Sequence, residues 1–137
     1  MFPSLFSHDA QNDSYWENPA LYERDRPLFL KYMPLLRRIA SAGWQPATLA
    51  RSDNPAILLE RFGPDGRGIR YLTLLNDAST AQEATVTLQP AAPGHPLPVE
   101  ARERISDALL PVDGGRIRVS VPPGAARLLE LREPAQK

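Results

Sequence analysis

At 137 residues, 42% hydrophobic and 23% charged, the chain is long enough for one domain with a real core, or one domain plus a short attachment. Lysine plus arginine and aspartate plus glutamate each number 16, so the net charge is zero and neither nucleic acid nor an anionic membrane surface is an expected partner. With no cysteine and only two histidines, His8 and His95, the composition excludes a disulfide scaffold and a thiol nucleophile; neither a metal site nor a cofactor is expected.

Residues 1–18, "MFPSLFSHDAQNDSYWEN", show no convincing period and no basic-then-apolar leader pattern, so a cytoplasmic location is the default expectation. No apolar run approaches the length that spans a bilayer, about 20 residues. Asn18 before Pro19 is a helix-start signal, because asparagine caps free N–H groups and proline at the first helical position sacrifices none. The pattern predicts a short helical stretch over "PALYER", a second cap at Asp25, and a main helix over residues 26–42. Phe29, Tyr32, Met33, Leu36, Ile39 and Ala40 recur at steps of three and four and predict one buried stripe, with Lys31, Arg37 and Arg38 off it. Pro34 is expected to bend this helix or cost it a hydrogen bond, and Gly43 to end it. Trp44 is expected to plug the space between helix and sheets.

Beyond Gly43 the period changes to two. Strands are expected over residues 47–51, 56–62 and 69–76, the last with Leu72 and Leu74 on one face and Tyr71 and Thr73 on the other. "GPDGRG" between the last two predicts a tight turn; it lacks the Lys-Ser/Thr of a phosphate loop. "EATVTLQ" alternates most cleanly, the mark of an antiparallel strand with one dry face. "QPAAPGHPLPVE" is dense enough in proline to be a structureless connection. "VEARERISDALL" fits either a strand near 99–102 followed by a turn, or a helical turn. "VDGG" suggests a hairpin, "RIRVSV" a strand with Ile117, Val119 and Val121 inward, and "AARLLEL" the last strand. Short strands punctuated every eight to twelve residues argue for a mainly β fold: an antiparallel β-sandwich of six to seven strands preceded by one amphipathic α-helix.

The stretches "YERDRPLFLKYMPLLRRIASAGWQPATLARSDNPAILLERFG", "YLTLLND" and "RIRVSVPPGAARLLEL" resemble the C-terminal end of glycoside hydrolases built on a (β/α)8 barrel, where the last barrel helix runs into an antiparallel β-sandwich. The resemblance implies two parts: residues 1–44, a loop and helix from the end of a barrel, and residues 45–137, a C-terminal sandwich. Residues 1–18 would be the loop after the last barrel strand, on the catalytic face. Nothing corresponds to the other seven βα units, which carry the paired carboxylates that glycoside hydrolysis requires. No catalytic residue is therefore assigned, and the expected role is structural support, with the missing barrel as partner and carbohydrate as a possible ligand. Phe6, His8, Asp9, Tyr15 and Trp16 are the candidate carbohydrate contacts, since rings stack on sugar C–H faces while imidazole and carboxylate bond hydroxyls. A carbohydrate-binding module and a free-standing interaction protein are the alternatives. The first needs an exposed aromatic row, and the sandwich stretch offers only Phe62 and Tyr71.

Overall fold

A single helix, α1 (Pro19–Ala42), opens the described structure, a computed structural model that describes residues 19–90 and 92–134. The break expected at Asp25 is absent, and the helix runs through both Pro27 and Pro34. Each proline removes one N–H donor, and both side chains are exposed, so the freed carbonyls face water that can satisfy them. Asp25 holds Arg24 in a two-point ion pair at 2.7 and 2.8 Å. Of the expected stripe, Ile39 is deeply buried and Phe29, Tyr32, Met33 and Leu36 are partly so. Leu35, outside that stripe, is as buried as Ile39, and Ala40 is exposed. The fold divides into two compact units, Met1–Arg37 and Arg38–Lys137, so the boundary falls inside the helix. In the first unit Tyr22 stacks on Phe29 with ring centroids 5.9 Å apart.

Nine strands make up the second unit among the described residues: β1 (Trp44–Gln45), β2 (Ala50–Ser52), β3 (Ile57–Phe62), β4 (Arg70–Asn76), β5 (Gln82–Leu88), β6 (Glu100–Glu103), β7 (Ala108–Leu110), β8 (Arg116–Val121) and β9 (Ala126–Arg132). They form a six-stranded antiparallel sheet in the order β1-β3-β4-β9-β6-β7 and a three-stranded one in the order β2-β5-β8. The mainly β, sandwich-like class is the expected one. The two additional strands are β1 and β7, each too short to show a period of its own. The 47–51 strand is replaced by the separate β1 and β2, and "VEARERISDALL" becomes the β6–β7 hairpin, with Ala101 opposite Leu110.

Period-two alternation builds the core. On the large sheet Leu72 pairs with Leu129 and Leu59 with Leu74, and these face the small sheet's Ala84, Val86, Leu88, Ile117, Val119 and Val121. "VDGG" does turn, with an Asp113–Arg116 bridge, but the strands on either side of it belong to different sheets. Trp44 is not a plug: paired with Phe62 on the edge strand β1, it is 60% exposed.

Gly43 ends α1, its N–H donating to the carbonyls of Ile39 and Ala40 at 3.1 and 3.2 Å. Gly63 holds the β3–β4 hairpin against this exit, donating to the Gly43 carbonyl at 2.8 Å. With φ at +86° and the Ile69 carbonyl 2.8 Å from where a Cβ would sit, no side chain fits there.

Candidate functional site

The five side chains expected to contact sugar, Phe6, His8, Asp9, Tyr15 and Trp16, lie outside the described residues. Within the second unit, polar chemistry collects instead on the outer face of the large sheet. In "ARLLELR" alternation turns Leu129 and Leu131 inward and Leu128, Glu130 and Arg132 outward. Glu130 stands between Tyr71 of β4 and Arg102 of β6 in the register, and its side chain is only 2% exposed.

A buried carboxylate is stable only when paired and hydrogen-bonded. Arg132 donates to Oε1 through Nη2 at 2.7 Å and Nε at 3.0 Å, and Arg38 donates to Oε2 through Nη1 at 3.1 Å. Arg104 adds a third cation, with Nε 3.6 Å from Oε2. Arg38 sits in the last turns of α1, so one carboxylate ties the helix end to β9 and to the end of β6. The sequence placed Arg38 off the buried stripe and raised no role for Glu130. Its signal was a lone acid inside the apolar run "LLEL", which in a central strand calls for a buried partner.

Tyr71, fully buried beside Glu130, donates its hydroxyl to Oδ2 of Asp65 at 3.0 Å. Asp65 organises the "GPDGRG" turn: Oδ1 accepts the N–H groups of Arg67 and Ile69 at 2.9 and 3.0 Å, and Arg67 Nη2 reaches Oδ2 at 3.1 Å. Desolvation alone would raise its pKa, but these four hydrogen bonds outweigh it and lower the value from 3.8 to about 2. Burial, and then the bond to Asp65, push the Tyr71 phenol up. Because the folded-state value of Asp65 lies below the unfolded one, its contribution is complete above about pH 4 and is lost as pH falls toward 2. At 1.36 kcal/mol per unit this amounts to about 2 kcal/mol. In urea melts from pH 6 to pH 2, Asp65→Asn should flatten the acid limb by that amount; an unchanged limb would refute the assignment.

The second buried acid, Glu103, lies on the opposite face of the sheet, opposite the inward Leu129. Its carboxylate accepts from the N–H groups of Ile105, Ser106 and Leu128 and from the Ser106 hydroxyl. It borders a cleft of about 210 Å³ lined also by Ser106, Ala108, Leu110, Arg118, Val119, Ser120 and Arg127. The two buried carboxylates thus have the sheet between them, whereas a glycosidase pair faces one sugar across about 5–10 Å. Among the described residues no three His, Cys, Asp or Glu side chains are placed to hold a metal ion, and no helix is long and apolar enough to cross a membrane.

No protein-family profile and no curated protein sequence matches the chain. Solved structures similar to it include glycoside hydrolases, the class that the sequence resembles. A GH27 β-L-arabinopyranosidase from Geobacillus stearothermophilus matches 64% of this chain and 20% of its own, at 18% identity and a TM-score of 0.49. For α-galactosidase I from Mortierella vinacea the figures are 64%, 24%, 20% and 0.47. An Anoxybacillus α-amylase matches 94% of this chain and 25% of its own, at 13% identity and 0.46. The chain therefore spans about a quarter or less of each.

Proposed function

We propose that the chain is a non-catalytic C-terminal β-sandwich domain of a glycoside hydrolase-like protein, giving structural support to a carbohydrate-active barrel. The observation that carries this reading is the use of Glu130: the most buried ion-paired acid among the described residues fastens the end of a helix to a sheet. Such a joint suits a domain that receives a helix from another body. The two buried carboxylates support the non-catalytic part, since each is committed to structural donors on its own side of the sheet. On the helix, Leu28 and Leu30 are 45% and 70% exposed, apolar surface that a barrel would cover.

The test is direct. The purified chain should enhance ANS fluorescence, with the enhancement reduced in Leu30→Glu, and should release no p-nitrophenol from aryl glycosides. A monodisperse chain that leaves ANS dark would count against a missing barrel, and turnover of any aryl glycoside would end the non-catalytic reading.

A further inference from the structure

Six strands face three, and the mismatch leaves part of the large sheet's inner surface open. β2 packs against β3 and β8 against β4, so the β6–β7 hairpin projects past the small sheet. The 210 Å³ cleft lies there, with Glu103, Ser106, Ala108 and Leu110 on the hairpin side and β8 on the other. β8 is an edge strand of its sheet.

The hydrogen-bond phase of β8 says which way its backbone points. The Leu88 N–H donates to the Gly115 carbonyl at 2.7 Å, and the register carries this type of pair to Val86 with Ile117 and Ala84 with Val119. The main-chain groups of Arg116, Arg118 and Ser120 therefore face away from β5, and those of Arg116 are already paired with Asp113 at 2.8 and 3.0 Å. Arg127 marks the same direction, donating from Nε to the Ser120 carbonyl at 3.1 Å. The N–H and C=O of Arg118 are aimed into the cleft.

We propose that this edge takes up an extended acidic segment of a partner protein, which pairs with β8 at Arg118, between the Asp113 bridge and Arg127. Side chains alternate across such a strand. Those turned inward would rest on Ala108, Leu110 and Val119, which favours apolar residues. Those turned outward would lie beside Arg116 and Arg118, both exposed, with Arg127 at the rim, which favours carboxylates. Glu103, the acid lining this cleft, already accepts four hydrogen bonds and offers little to a cationic segment. A second copy of this chain is a poor occupant, because β8 laid antiparallel on β8 would set arginines against arginines.

Fluorescence anisotropy of the full chain with a labelled eight-residue peptide alternating glutamate and valine tests the proposal, with a lysine–valine peptide as control. Saturable, salt-weakened binding is expected for the acidic peptide alone. Arg118→Glu should weaken it roughly fivefold or more. Arg118→Pro, which removes an N–H that β5 does not use, should abolish it. Hydrogen exchange on the unmodified chain gives a readout that needs no variant: the peptide should newly protect the Arg118 amide while the Val119 amide stays as it was. Absence of saturable binding, equal binding of the lysine peptide, an unprotected Arg118 amide, or a dimer of the chain broken by Arg118→Pro would each overturn the proposal.

Discussion

Glu130→Gln should destabilise the second unit by roughly 2–4 kcal/mol, the cost of leaving three partly exposed cations without their buried counter-ion. The substitution keeps the shape of the side chain, so packing is not what changes. Arg38, Arg104 and Arg132 would then converge on a neutral amide that donates as well as accepts. Against a total of 5–15 kcal/mol for a typical domain, that loss is large. Arg38→Met should cost much less, because Glu130 keeps two other arginines and the methionine stem still covers the sheet. Urea midpoints would show the order, and a Glu130→Gln loss below about 1 kcal/mol would mean that the cluster is ornamental.

Asn76 should be nearly as sensitive. It is fully buried at the end of β4, where Nδ2 donates to the carbonyls of Thr80, Val121 and Pro122 at 2.8, 2.9 and 3.1 Å. Its Oδ1 accepts the Ala78 N–H at 2.9 Å. One amide thus stitches the large sheet to the end of β8 in the small one. Asn76→Leu would fill the space but orphan several main-chain groups, at about 1–3 kcal/mol each, so a total of roughly 3 kcal/mol or more is expected. Asn76→Asp should be worse at neutral pH, since a carboxylate would face three carbonyl oxygens, and should recover partly in acid when it becomes a donor. Equal stabilities of the two variants at pH 7 would contradict this account.

Much of the fold was legible because alternation is local. Leu72 and Leu74 opposite Tyr71 and Thr73, and Ile117, Val119 and Val121 on one face, follow from period two alone. The helix start at Pro19 was equally plain, although Asp25 and Pro27 suggested a second start where the helix continues. A proline on an exposed face costs one hydrogen bond that water can replace, so the periodic side chains won. The six-to-three division was not legible. It depends on which strands meet across the whole chain, and turns such as "VDGG" and "PPG" look the same whether they join neighbours or cross between sheets. The anchoring cluster was hidden for a related reason. Arg38 and Glu130 are far apart in sequence, and nothing in either neighbourhood names the other. Asp65 lay inside a turn recognised for its glycines, which drew attention from the acid that orders it.

The place of β9 has a consequence for how the chain comes to be folded. It is the last strand in chain order, yet it sits at the centre of the large sheet, pairing Leu72 with Leu129 on one side and Ala101 with Leu131 on the other. Until it arrives, the β3–β4 and β6–β7 hairpins are separate pieces with unpaired flanks. Contacts of such long sequence separation make folding slow and expose those flanks meanwhile. Without β9 the large sheet would remain two separate pieces, and the core would lose Leu129 and Leu131.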